Sequence, residues 1–418
     1  MRLDTALAGG PEALFLAENG TQTAIVGTVQ SYAWLLLAAT LVGMVVRRFN
    51  IPYAVALVGG GLAIDASRVV AVPGLNPDVL LFVFLPPLLF DAAFRLDAVE
   101  ARALVRPVLL LAVSGVLLAT VLVGGVVWAV LDLPLAVALL FGSIVAATDP
   151  VAVIGVFHQL RVVPRLSVIA EAESLVNDGM AITLYVVLLG WAASGSFDAL
   201  GSLATFGLEV VGGVMTGGIL GLGSSRLTRF SDDHLIEMLL SVSVAYGSYL
   251  IADAVGASGA LACVAAGFVH GSYGRSIGMS ENTRERLDDL WEFLGFLANA
   301  VVFLVLGFSV HAGELIDDAW PISVAVLAVL LARVVVTSLA GLLGPSRGDP
   351  VRSWREAALL TWGGLRGALT AALALALPPA TPHREVVIAM ALGVVLFTLV
   401  VQGLTLPLVI RRLRLGRS

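Results

Sequence analysis

The sequence predicts an all-α polytopic membrane protein of about thirteen transmembrane helices in two inverted six-helix repeats. Three observations carry that expectation. First, 59% of the 418 residues are hydrophobic and 13% are charged, against about 45–50% and about 25% in an ordinary soluble domain. Second, the apolar residues form continuous runs rather than the alternation of a membrane β-barrel, and about 20 of them make one helical crossing. Third, two runs are interrupted by helix-breaking residues at matching places in the two halves. The composition excludes a multidomain soluble protein, a disordered chain, and a disulfide scaffold, because Cys263 is the one cysteine; the net charge of −6 excludes a nucleic-acid partner.

The runs lie near residues 24–46, 51–66, 78–95, 105–130, 134–157, 166–193, 200–222, 234–252, 256–271, 290–311, 320–344, 356–378 and 386–410. Residues 1–23 carry Asp4, Glu12 and Glu18 without a basic stretch leading into an apolar core. They read as an external tail rather than a cleaved signal peptide. The second and ninth runs are short and glycine-rich (Gly59 to Gly61; Gly256, Gly259 and Gly267). They are either packed spans or re-entrant segments. A single transmembrane domain is expected over 24–410, with a repeat at 24–193, a linking helix at 200–222, a second repeat at 234–410 and a short tail at 411–418.

Thirteen crossings put the two ends on opposite sides. With Arg411, Arg412, Arg414 and Arg417 in the cytoplasm, nineteen of the 24 arginines lie inside and only Arg2, Arg68 and Arg384 outside; Arg333 and Arg366 fall within runs. That asymmetry follows the positive-inside rule and predicts a multi-pass cell-membrane protein with an external N-terminus. The sequence ends within about ten residues of the last run. Energy is therefore expected from an ion gradient or passive flow rather than from an attached ATPase.

The fifth run is interrupted by Ala146-Ala147-Thr148-Asp149-Pro150 and the twelfth by Trp362-Gly363-Gly364-Leu365-Arg366-Gly367. Seven runs separate them, an odd offset, so they enter the membrane in opposite senses. Each break leaves free amide and carbonyl ends at mid-membrane, and Asp149 and Arg366 are placed to offset those helix-end charges.

An ionisable residue at the bilayer centre costs at least about 2.5–3.5 kcal/mol and needs a reason. The clear cases are Asp91, Asp149, Glu171, Glu173, Asp178, Arg333 and Arg366. The acidic excess calls for bound protons or a bound cation. On the sixth run, Ser174 and Asp178 share a helix face and Glu173 and Asn177 the neighbouring one. Glu173 and Asp178 stand about 140° apart around the axis. Asp178 with Ser174 therefore offers hard oxygen ligands for Na⁺, Li⁺ or K⁺, while Glu173 points where an arginine can pair with it. Asp91 follows Pro86 and Pro87 and is either a cavity residue or an inner-end carboxylate beside Arg95. Glu209 has no evident role, and Asp65 and Asp253 sit near outer ends. His158, His234, His270, His311 and His383 read as surface residues in or near loops.

Nothing in the sequence forms a zinc site, a phosphate-binding loop or a nucleophilic triad, so no enzyme and no cofactor are expected. A cation channel and an ion-coupled solute transporter are the rival readings. The second would want an aromatic pocket, for which Trp362 is the one strong candidate.

The segments Ala147 to Val153 and Glu173 to Gly179 resemble the paired signatures of the monovalent cation:proton antiporters, in particular the sodium/proton exchangers and their NhaP-type prokaryotic relatives. Phe84 to Asp91, Asn299 to Gly307, Ala332-Arg333 and Gly364 to Gly367 resemble the same family, in order, from about residue 45 to 405. The resemblance implies a homodimer in the lipid bilayer, whose subunits each carry a mobile six-helix core with two crossed, discontinuous helices. It implies that Asp178 binds cation or proton, with Ser174, Asp91 and Thr148 completing the ion shell. Asn177 stands where electrogenic relatives carry a second aspartate, which implies electroneutral exchange. Glu173 would pair with Arg333 or Arg366, and Asp149 would support the crossing beside an arginine. Asp91 replaces a glutamate of several relatives, and its shorter arm allows a bridging water.

The coupling logic follows from the residues. A buried carboxylate is costly to leave charged, and either a proton or a monovalent cation neutralises it. If only the neutral site crosses the barrier, the two fluxes are obligatorily coupled and one carboxylate moves one H⁺ or one Na⁺ per crossing.

Overall fold

The computed structural model describes residues 30, 33–45, 52–67, 79–96, 108–230, 233–309, 312–342 and 353–416. The expected external tail, Arg2, Arg47, Arg48, Arg68, Arg102, Arg106, Arg347, Arg352, Arg417, His311 and the side chain of Asp65 lie outside the described residues.

The described residues are all-helical. In chain order the main helices are α1 (Ala33–Val45), α2 (Tyr53–Ser67), α3 (Leu85–Arg95), α4 (Gly115–Leu131), α5 (Leu135–Ile144), α6 (Val151–Gln159), α7 (Pro164–Ser194) and α8 (Ala199–Leu227). There follow α9 (His234–Ala254), α10 (Gly259–Val269), α11 (Glu281–Ser309), α12 (Ala319–Leu342), α13 (Trp354–Trp362), α14 (Ala368–Leu375), α15 (Arg384–Phe397) and α16 (Leu404–Leu413). Among the described residues, seven helical stretches are long and apolar enough to cross a membrane.

Local chemistry sets many of the ends. Asp198, Asp233, Ser258 and Ser353 each accept a hydrogen bond from a first-turn amide of α8, α9, α10 and α13, satisfying donors that a helix start leaves free. Pro164 opens α7, where its missing N–H costs nothing. Gly195 closes α7 at φ +69°, a left-handed conformation that favours glycine. Pro86 and Pro87 follow a π-helical turn at Leu80–Phe84. Proline 87 donates no hydrogen bond to the carbonyl one turn back, and Tyr246 Oη donates to that Val83 carbonyl instead, at 2.8 Å.

Between apolar helices in a membrane, close packing holds the bundle rather than exclusion of water. Small residues make this possible. A Cβ on Gly61 would strike the backbone of Leu304 and Gly307, and one on Gly307 would strike Val58 and Gly61. The glycine-rich second run is accordingly a continuous helix laid against α11. The ninth run is also helical and packed, and it continues through a π-helical turn at His270–Gly274. That extension corrects one expectation. His270 is fully buried, its ring near Phe90 and Phe94 and its Nδ1 3.0 Å from Ser224 Oγ. His158 and His383 are exposed, as expected. The tenth run also begins earlier than its apolar stretch, at Glu281.

Candidate ion-binding site

Both interruptions fall where the helix breakers stand. Alpha-5 ends at Ile144 and α6 begins at Val151; α13 ends at Trp362 and α14 begins at Ala368. The two non-helical segments touch through their backbones, Asp149 N donating to the Leu365 carbonyl at 2.9 Å. Residues more than two hundred positions apart thus meet at one crossing.

Asp149 serves the amide ends there. Its Oδ1 accepts from Val151 N at 3.0 Å, and its carboxylate also takes the Ala368 amide. One carboxylate caps the starts of α6 and α14, where helix dipoles favour negative charge. Gly367 makes room for it, since a Cβ at that position would overlap the Asp149 carboxylate. Arg366 serves a carbonyl end: its Nη1 donates to the Gly364 carbonyl at 3.1 Å. Thr398 pins the same residue by accepting from Arg366 N at 3.0 Å and donating to its carbonyl at 3.3 Å.

Alpha-7 passes beside the crossing. Ser174 Oγ donates to the Thr148 carbonyl, Thr148 Oγ1 donates to Ser174 Oγ at 3.3 Å and Asn177 Nδ2 donates to Thr148 Oγ1 at 3.2 Å. Asp178 accepts from the Thr148 amide. Its Oδ1 is buried and has no hydrogen-bond partner among the described residues.

Glu173 leaves α7 on the other side, as its spacing from Asp178 requires. It forms a two-pronged pair with Arg333 of α12, Nη1 to Oε1 at 2.5 Å and Nη2 to Oε2 at 3.3 Å. Of the two arginines open to it in the sequence, Arg333 is the bonded one. Arg366, fully buried, lies within electrostatic range of Glu173 and Asp178.

A cavity of about 80 Å³ opens beside the crossing, lined among others by Asp91, Glu171, Ser174, Asp178, Thr148 and Asp149. Five of the expected site residues therefore share one space. Asn177 reaches it only through Thr148. Glu173 and Arg333 line a smaller void of about 10 Å³ on the far side of Thr148 and Asp149, and Arg366 lines neither. Asp91 joins both of its expected readings: it lines the cavity and is paired with Arg95, 2.5 Å away. Arg95 in turn donates to the Asp288 carbonyl at 2.8 Å and approaches Glu292 at 3.5 Å. Trp362 is not among the cavity's lining residues; its Nε1 donates to Thr405 Oγ1 at 3.0 Å, beside Val153, Phe157 and Leu406.

Neither Thr398 nor Thr370 stands out in the sequence. Both are lone hydroxyls in apolar stretches, and Thr370 lines the cavity. Arg95 was visible only as the i+4 neighbour of Asp91.

The chain is similar to known transporters over nearly its whole length. The sequence pattern of the transmembrane sodium/hydrogen exchanger family matches residues 36–412. The Na(+)/H(+) antiporter ApNhaP of Aphanothece halophytica is 39% identical over 369 residues, covering 88% of this chain and 70% of that protein. The Na(+)/H(+) antiporter NhaH of Halobacillus dabanensis is 35% identical over 386 residues, covering 90% and 91%. In fold, the chain is similar to the sodium proton antiporter MjNhaP1 of Methanocaldococcus jannaschii, with a TM-score of 0.77, 22% identity and coverage of 94% of this chain and all of that one. With its broken helices crossed beside a partly buried carboxylate and this agreement along the sequence, the chain belongs to the sodium/hydrogen exchanger family of multi-pass membrane antiporters.

Proposed function

We propose that this chain exchanges Na⁺, or another monovalent cation such as Li⁺ or K⁺, for H⁺ one for one, with both ions competing for Asp178. The observation that carries this reading is the orphaned Asp178 oxygen in a cavity shared with Ser174, Thr148 and Asp91. Three of the neighbouring carboxylates are engaged, and the fourth, Glu171, lines the same cavity about one turn from Ser174 and about two from Asp178. Asp149 holds two amides, Glu173 holds Arg333, and Asp91 holds Arg95. Asn177 is neutral. Asp178 is left as the exchangeable charge, and one such charge gives an electroneutral cycle. A buried carboxylate in its empty, charged state resists leaving its polar surroundings. Cation or proton removes that penalty, so only an occupied site changes access.

In this reading thirteen helices cross the cell membrane with the N-terminus outside, and the two breaks belong to inverted repeats joined by α8. The cavity extends from Asp178 past Ser174 to Glu171 and Asp91, toward the arginine-rich side, which corresponds to an inward-open state. The Ser174, Thr148 and Asp178 oxygens would hold the dehydrated cation, with Asp91 nearer the entrance. The protein works as a homodimer, and its physiological role is pH and sodium homeostasis.

The test is exchange in proteoliposomes across a pH gradient, with each cation in turn and Asp178→Asn as control. Saturable, proton-coupled flux that is lost in Asp178→Asn supports the assignment. Proton-coupled Na⁺ flux surviving in that variant rejects it. Non-saturating flux without proton movement indicates a channel, and Na⁺ accumulation driven by membrane potential rules out the one-for-one cycle.

A further inference from the structure

We propose that Thr370 is a further cation ligand of this site and helps set which cation it prefers. The inference rests on the Asp178 reading above and extends it to the second broken helix.

Thr370 lies in the first turn of α14 and is 1% exposed. It lines the cavity that holds Asp178, Ser174 and Thr148. Its Oγ1 is buried and has no hydrogen-bond partner among the described residues. Threonines inside helices ordinarily satisfy this group by donating to the carbonyl one turn back. Thr183, Thr337 and Thr405 do so here, to Gly179, Arg333 and Val401. For Thr370 the corresponding carbonyl belongs to Arg366, which stands in the break before α14 starts, and Thr370 Oγ1 makes no hydrogen bond to it. The broken helix therefore strips Thr370 of the partner that an unbroken one would supply.

A buried hydroxyl without a partner is unfavourable, and valine would fill the same volume without that cost. Two residues with such an oxygen, Asp178 (Oδ1) and Thr370 (Oγ1), line one cavity from two helices, α7 and α14, that pack together. A dehydrated alkali cation is a hard acid that takes several oxygen ligands, carboxylate and hydroxyl among them. It would satisfy both orphans at once, whereas a proton on Asp178 needs only the carboxylate. Thr370 thus weighs on the cation side of the competition, and because ligand number and spacing decide cation size, it weighs on selectivity.

The test compares Thr370→Val and Thr370→Ser in the full chain. In proteoliposomes, Thr370→Val should raise the KM for Na⁺ roughly fivefold or more, the scale of one lost ligand interaction. Its effect should fall on KM rather than maximal rate, and Thr370→Ser should recover most of it. In cation-free detergent Thr370→Val should melt no lower than the parent, and the Na⁺-induced rise in Tm should shrink. A parent-like KM in Thr370→Val overturns the proposal. So does a lowered Tm without cation and an unaltered KM, which would give the hydroxyl a structural hydrogen bond. Should Thr370→Val fail to fold, Thr370→Ala decides by the same Na⁺-induced shift. Asp178→Asn measured alongside separates two failures. Exchange surviving there rejects the antiport site itself, while a silent Asp178→Asn beside a parent-like Thr370→Val rejects Thr370 alone.

Discussion

Arg333 grips Glu173 with both terminal nitrogens, at 2.5 and 3.3 Å, on the side of α7 away from the cavity that contains Asp178. The pair is almost sealed, with 3% of the Glu173 side chain and 11% of the Arg333 side chain exposed. A buried ion pair adds little over an apolar pair of the same size, but breaking it from one side strands a charge, at about 3–5 kcal/mol. Arg333 also donates to the Leu360 carbonyl near the end of α13, at 3.3 Å. The pair thus ties α7, α12 and the broken helix together.

The first prediction concerns that tie. Glu173→Gln should lower thermal stability in detergent by an amount corresponding to about 3–5 kcal/mol. The double variant Glu173→Gln with Arg333→Gln should regain much of the loss, because no unpaired charge remains. Arg333→Lys should rescue poorly, since an ammonium cannot form the fork. A Glu173→Gln protein with the parent's melting temperature would contradict the structural role.

A second prediction tests the space beneath the crossing. In Gly367→Ala the new methyl meets the Asp149 carboxylate. Either the carboxylate moves and uncovers the amide ends of α6 and α14, or the segments part. The expected cost is about 1–3 kcal/mol of stability. Exchange should fall at least about tenfold, the effect of some 1.4 kcal/mol on a barrier. Melting curves and proteoliposome flux measure the two losses separately.

A third follows from Thr398. Thr398→Val removes both side-chain hydrogen bonds to the Arg366 backbone. The buried amide and carbonyl left behind should cost about 1–3 kcal/mol. Thr398→Ser keeps the hydroxyl and should melt close to the parent.

These residues also show what the sequence could and could not reveal. Helical spacing along one run was enough to assign Glu173 and Asp178 to different faces, and helix-breaking residues were enough to locate both interruptions. Spacing says nothing about which helix stands opposite a face. Arg333 and Arg366 were therefore indistinguishable partners until α12 was seen beside Glu173. Thr398 was invisible for a related reason: one hydroxyl in an apolar run looks the same whether it only back-bonds in its own helix or, like Thr398, back-bonds to Val395 at 3.0 Å and also meets a distant break. His270 looks like a loop residue because the apolar run ends beside it, at residue 271, whereas a π-helical turn at His270–Gly274 carries the helix on and the ring is buried.

The last prediction turns on Asp91 and Arg95. Asp91 lines the cavity, yet its Oδ1 is held by Arg95 Nε at 2.5 Å. A cation approaching Asp91 must compete with a cation already there. The pair is only partly covered, with 22% of the Asp91 side chain and 32% of the Arg95 side chain exposed, so the competition is screened and amounts to less than about 1 kcal/mol. Arg95→Gln releases the carboxylate and should lower the KM for Na⁺ by about two- to fivefold. Asp91→Asn should move KM the other way, and adding Arg95→Gln to Asp91→Asn should change little, because the carboxylate that the arginine shields is gone. Isotopic Na⁺ uptake at fixed pH measures all three. A rise in KM in Arg95→Gln would mean that Arg95 positions Asp91 for the ion instead of competing for it.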